Sequence, residues 1–270
     1  MPSIQLPDGK WQHTFSASWL SAFADCPEQA RQRYYNLTKY SVNDYTALGS
    51  ALHKAIEVSL QAKIDGSAPT LEAARKAALE QFAVTASEAG FEYKKWTPES
   101  ALVQLDQHLV TFWDEIMPIS KPVAVEAEFN LQLFEDIYRE VRIRGFIDYV
   151  DAELGITDWK SSGSPYKPWE KERYEKQPTV YPWAWSQLTG EDHHDMRYVV
   201  FVHGKAPQTF VVPRNEGHIL WLKRQALAAA RLIETNLSIW PMNDTSWKCS
   251  PKWCSAWSGC RGLFLGDNPW

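Results

Sequence analysis

Between residues 19 and 117 the apolar side chains recur every three or four positions, which predicts a succession of helices. Ser18 reads as the N-cap of a first helix starting at Trp19, with Leu20, Ala22 and Phe23 on its apolar side. Cys26-Pro27 interrupts it, and Pro27 suits the first turn of a second helix running through Gln29, Arg31 and Tyr35. Asp44 is positioned to cap a long third helix that Gly66 ends. Gly49 and His53 lie four apart on it, so a glycine one turn before the histidine leaves room for another backbone or a metal site. His53 reads equally as a packed core histidine. Residues 71–90 and 98–117 form two more helices, the second with Leu102, Leu105, Leu109, Phe112 and Ile116 in phase. Both are packing elements, in a helical insertion spanning 67–118. Residues 1–14 have no period and read as irregular.

The period then shortens to two. Val123, Val125, Ala127 and Phe129 alternate with Ala124, Glu126 and Glu128, which predicts a half-exposed strand. Either glutamate is a candidate site carboxylate or simply lies on the wet face. The stretch GFIDYVDAELGITDWKSS, residues 145–162, predicts two strands and a tight turn. A three-residue loop ending in a left-handed Gly155 puts Asp148 opposite Asp158, and Lys160 two residues on shares their face. Two such carboxylates can hold a hard divalent cation, and the lysine can orient water or stabilise charge on a phosphate. Taken alone, the three also read as solvated charges on a surface hairpin. A loop over 161–168 leads to a helix at about 169–188, bent at Pro178 and Pro182, with Gln177 and Tyr181 four apart. A second hairpin turns near Gly204, and an amphipathic helix covers about 215–237. Helices before a sheet, then alternating with strands, predict a mixed α/β fold, taken as one domain of 270 residues.

Composition narrows the function. Hydrophobic residues make up 44% and charged residues 23%, as in ordinary globular chains. No run of eighteen apolar residues exists, and the first residues lack a signal-peptide pattern, so no membrane role and a cytoplasmic location are expected. The net charge of −5 gives no overall attraction to nucleic acid, so any binding needs a local patch. Candidate walls are Arg31, Arg33, Lys167, Lys171, Arg173 and Lys176 with neighbouring Tyr and Trp rings, unless these are a solvated helix face. The cysteines are Cys26, Cys249, Cys254 and Cys260, three of them in a tail too short to build a core. Such a tail needs an anchor, and thiolates without aspartate suit an iron–sulfur cluster or zinc. No G-x4-G-K-[ST] loop is present, which excludes a helicase motor within the chain.

The ordered set Cys26-Pro27, Gly49-x3-His53, Gly145-x2-Asp148, Asp158-x-Lys160, Gln177-x3-Tyr181, Cys249, Cys254 and Cys260 resembles the RecB-like branch of the PD-(D/E)XK nuclease superfamily. More narrowly it resembles the iron–sulfur members, such as the AddB nuclease domain and the CRISPR-associated RecB-like exonucleases, over about Phe15 to Arg261. The resemblance implies a restriction-endonuclease-like core, a central mixed sheet flanked by helices, and a metal-dependent DNA exonuclease. It implies that His53, Asp148, Asp158 and the Trp159 carbonyl bind Mg²⁺ or Mn²⁺, and that Lys160 positions water and stabilises the phosphate. Gln177 and Tyr181 would support the site and contact DNA, beside Arg31, Lys171 and Arg173. The four cysteines would hold a [4Fe–4S] cluster, with zinc as the lesser alternative, clasping residues 240–270 onto residues 15–40. Partners implied are DNA and a recombination or CRISPR-like protein complex; structure-specific endonuclease and non-catalytic DNA-binding roles are the alternatives. The late cysteines depart from the family's C-x2-C-x5-C spacing, and Ile156-Thr157 stand where its proline is named.

Overall fold

The computed structural model describes residues 3–35, 37 and 42–266. The strands described are β1 (Ser3–Gln5), β2 (Trp11–Phe15), β3 (Pro122–Glu135), β4 (Arg139–Asp151), β5 (Gly155–Ser162), β6 (Asp195–Val202) and β7 (Gln208–Pro213). They form one mixed sheet in the order β1-β2-β4-β5-β6-β7, with β3 also paired to β4. The expectation of an irregular N-terminus is corrected by β1 and β2. Strand β2 reads WQHTF, too polar to show alternation, and its partner is distant: it runs parallel to Arg139–Ile143.

Strand β3 runs antiparallel along the length of β4, so β2 and β5 share the other edge of β4. Strand β2 takes its beginning, and β5 its end, at Tyr149–Asp151. On that edge, residues 144–148 face a gap between the two neighbours.

Helices cover the sheet on both sides. The described α-helices are α1 (Ala17–Asp25), α2 (Pro27–Tyr34), α3 (Asp44–Ile64), α4 (Leu71–Ala86), α5 (Pro98–Thr111), α6 (Pro168–Tyr174), α7 (Gln177–Thr189), α8 (Glu216–Glu234) and α9 (Gly262–Leu265), and a π-helical turn, Phe112–Ile116, continues α5. One core joins Ile143, Ile147, Tyr198 and Val200 of the sheet to Leu20, Val180, Leu222 and Ala226. The other joins Tyr149, Trp159 and Phe201 to Leu48, Leu52, Ile56 and Leu105. Ala47, Ala51 and Ala55 are fully buried along α3, and such small side chains let the neighbouring helices approach closely. No helix among the described residues is long and apolar enough to cross a membrane.

Three local expectations change. Helix α1 is capped by Ser16, not Ser18, and α3 by Asn43, not Asp44. The Asp44 carboxylate accepts the backbone N–H groups of Lys95 and Trp96, pinning the segment before α5 to the start of α3. The helix expected over 169–188 is two helices. Proline disfavours the helical conformation in its predecessor but fits a first turn, and Pro178 sits in the first turn of α7.

Candidate active site

The inside–outside alternation of β4 breaks at Asp148. Val141, Ile143 and Ile147 belong to the core under α1, α7 and α8, whereas Tyr149 lies in the α3–α5 core and Val150 returns to the first. Strand β3 makes the same change: Ala127 and Ala124 pack on the first core and Val125 on the second. The pairs Ala127↔Ile147 and Val125↔Tyr149 bracket the break, so Glu126 stands opposite Asp148. Glu126 adopts φ 47°, the left-handed region, inside a strand. For a residue with a Cβ this conformation costs on the order of 1–3 kcal/mol and tends to occur at functional sites. The regular alternation expected for residues 123–129 is corrected accordingly, and Val123 lies exposed.

Two glycines permit the geometry. A Cβ on Gly145 would come within 2.9 Å of Phe129 Cζ. Gly155 has φ 72° and closes the loop after Asp151, as expected; the β4–β5 pairing runs from Asp151↔Gly155 to Tyr149↔Thr157 and ends one residue short of Asp148 and Asp158. Gly49 behaves differently from expectation: among the described residues no neighbouring backbone comes within 4 Å of where its Cβ would lie.

His53, Glu126 and Asp148 each present a ligand atom within 4.8 Å of the other two. His53 Nε2 lies 2.7 Å from the Trp159 carbonyl, which can only accept, so Nε2 carries the proton. The other ring nitrogen, Nδ1, lies 3.4 Å from Asp148 Oδ2. Thus the Trp159 carbonyl, expected as a metal ligand, here orients the histidine. Asp148 Oδ2 also accepts the Trp159 backbone N–H at 3.2 Å, bridging the gap between β4 and β5.

Asp158 lies outside that trio, fully buried, with Oδ2 2.5 Å from Lys160 Nζ. Its Oδ1 accepts from Gln177 Nε2 at 3.1 Å, and the same amide reaches the Tyr181 hydroxyl at 2.9 Å. Gln177 and Tyr181 therefore brace Asp158 from one turn of α7.

The electrostatics are those of a crowded anionic site. Burial, reinforced by Asp148, pushes the Glu126 carboxyl up to about 7. Burial pushes Asp158 up to about 6 against the pull of Lys160. Burial works to lower Lys160, but the carboxylates of Asp158 and Asp148 outweigh it and hold the ammonium charged. A divalent cation would relieve this crowding, and carboxylate oxygens with one imidazole suit a hard metal. Glu126 carried only a weak signal in the sequence, because glutamates on a strand's wet face look the same.

Not every residue expected at a DNA groove is there. Arg31 is paired with Glu28 at 2.7 Å and lines the cysteine cavity. Lys171 packs 4.2 Å over the Tyr166 ring and pairs with Glu175 at 3.2 Å, so most of its side chain is covered. Helix α6 has no buried residue; on its exposed side Lys167 lies 5.9 Å from Trp169 and Arg173 5.5 Å from Tyr174.

The four cysteines line one cavity of about 540 Å³ between α1–α2 and the tail. Protein contacts already fix the tail there. Glu28 accepts the Trp240 N–H at 2.8 Å, Asp25 pairs with Lys248 at 2.9 Å, and Gln32 reaches the Gly259 carbonyl at 3.1 Å. The parts of this expected clasp at residues 36, 38–40 and 267–270 lie outside the described residues.

A search of curated proteins finds no match. A crystal structure of a candidate exonuclease from Eubacterium rectale is similar at 13% identity with TM-score 0.52, covering 87% of this chain and 86% of that one. A second structure, of SSO0001, has TM-score 0.37 at 13% identity, over 86% of this chain and 93% of that chain, too distant to carry an argument. The sequence profile of the PD-(D/E)XK nuclease superfamily matches residues 14–261, and the chain belongs to that superfamily.

Proposed function

We propose that this nuclease is a metal-dependent deoxyribonuclease that hydrolyses phosphodiester bonds from DNA ends. The observation that carries the reading is the convergence of His53, Glu126 and Asp148 on one point, beside a buried Asp158–Lys160 pair. His53 Nδ1, Glu126 and Asp148 would hold Mg²⁺ or Mn²⁺, with Asp158 turned to the same site. When bound, the cation supplies Lewis-acid polarisation of the phosphate. Lys160 orients the attacking water and stabilises the negative charge that grows on the phosphoryl oxygens. Gln177 and Tyr181 hold Asp158 in place for both. Exposed Lys167–Trp169 and Arg173–Tyr174 pairs on α6 offer charge and stacking to the substrate.

The chain also fits the RecB-like, iron–sulfur branch. Four thiols on one cavity suit a [4Fe–4S] cluster. Zinc bonds of about 2.3 Å would draw tetrahedral sulfurs to within roughly 4 Å of one another. The same four thiolates suit zinc as the lesser alternative. A cytoplasmic protein acting in DNA recombination, repair or phage DNA processing, alone or within a larger complex, is the setting this reading implies. Incubating end-labelled linear DNA and closed circular DNA, single- and double-stranded, with Mg²⁺ or Mn²⁺ tests it. Release of short products from linear substrates alone is expected; intact DNA in every case would refute the nuclease, and nicked circles would refute the need for an end.

A further inference from the structure

We propose that Arg144 and Phe146 form a seat for single-stranded nucleic acid on the open sheet face beside the metal-ligand cluster, an inference that rests on the nuclease reading above. Ile143 and Ile147 are buried in the core, and Gly145 is pressed against the Phe129 ring. Strand alternation therefore sends Arg144 and Phe146 to the opposite face. The α3–α5 core on that face takes in Tyr149, Trp159, Val199 and Phe201 but no residue of β4 before Tyr149. Phe146 is 49% exposed and Arg144 is exposed.

The other arginines of β4 are committed. Arg139 holds Glu234, and Arg142 holds Asn130 and Glu140. Arg144 has no such partner among the described residues. At about 3.4 Å per residue, Phe146 stands roughly 7 Å and Arg144 roughly 14 Å along the strand from Asp148. A ring and a guanidinium thus approach the metal ligands in line, on the stretch of β4 whose edge faces the gap between β2 and β5.

The chemistry selects a single strand. A phenyl ring stacks on any unpaired base, whatever its sequence, but bases inside a duplex are already stacked and out of its reach. Arg144 supplies the positive charge for a phosphate farther along. Glu128, exposed and directly across from Phe146 on β3, repels the backbone from that side and leaves Arg144 as its path.

Binding of a fluorescent oligonucleotide, single-stranded or duplex, measured without divalent metal, separates this from cleavage. Phe146→Ala should weaken single-strand binding about tenfold with an unchanged salt slope, and Phe146→Tyr should restore it. Arg144→Ala should lower the salt slope for single strands by about 0.7. Duplex binding should change little in either variant. Wild-type affinity and salt slope in both variants would overturn the seat while leaving the nuclease reading intact. Equal losses for duplex and single strand would overturn its selectivity for single strands. Failure of the wild-type protein to bind or cut any DNA would overturn both readings.

Discussion

Glu126 and Asp148 face each other across β3 and β4 at the point where both strands change face, and Glu126 holds a left-handed backbone to do it. The backbone strain and the desolvated carboxyl fall on the same half-buried residue. Burial and Asp148 raise Glu126 to about 7, so the fold tolerates both a costly φ and a costly carboxylate at this one position.

Asparagine accepts the left-handed region more readily than glutamate and carries no charge. Glu126→Asn should therefore stabilise the metal-free protein by about 1 kcal/mol, read from chemical denaturation. It should also raise the Mn²⁺ concentration needed for half-maximal cleavage. Unchanged metal dependence would take Glu126 out of the site.

His108 is buried, and burial followed by the neighbouring His203 holds its imidazole down at about 4. Its folded value lies below the unfolded one, so the unfolded chain takes up the proton first. The stabilising effect is whole above about pH 6.5 and is lost as pH falls through the folded value. Wild-type stability should drop between pH 7 and pH 4.5 by on the order of 2 kcal/mol more than that of His108→Gln. Parallel pH profiles for the two proteins would contradict this.

Cys26 lies on α2's threshold and the other three cysteines on the tail, so a bound cluster joins distant parts of the chain. Protein purified without oxygen should be brown, and Cys26→Ala should lose the colour as fully as Cys254→Ala. Because Glu28, Asp25 and Gln32 also hold the tail, Cys26→Ala should stay folded with a lowered melting temperature. A colourless wild-type protein with one equivalent of zinc would replace the cluster by zinc.

On α6 the basic residues should separate by their contacts. Lys167→Ala and Arg173→Ala should each reduce the salt slope of single-strand binding by about 0.7. Lys171→Ala should instead lower the melting temperature, since its ammonium packs on Tyr166 and pairs with Glu175. An unchanged slope in both exposed variants would remove α6 from the DNA path.

Much of this was legible in local pattern. The β4–β5 hairpin that carries Asp148 and Asp158 follows from the turn ending at Gly155, and α3, α4, α5 and α8 follow from helical periodicity. What escaped depends on distant partners. Strands β1 and β2 are too short and polar to announce themselves and exist because β4 offers an edge. Arg31 sits in a basic-looking helix, yet Glu28, three residues earlier, draws it into the cysteine cavity. The change of face at Glu126 leaves no mark in hydrophobicity, because a glutamate reads as polar whether it faces water or a buried site.

The most direct test is single-turnover cleavage of end-labelled linear DNA by Lys160→Ala with Mg²⁺ or Mn²⁺, alongside metal binding by the same variant. Removing the ammonium leaves the carboxylates to bind the cation but takes away the charge that stabilises the reacting phosphate. Cleavage should fall roughly 100- to 1000-fold with metal binding retained. A wild-type cleavage rate in Lys160→Ala would contradict the site and the chemistry assigned to it.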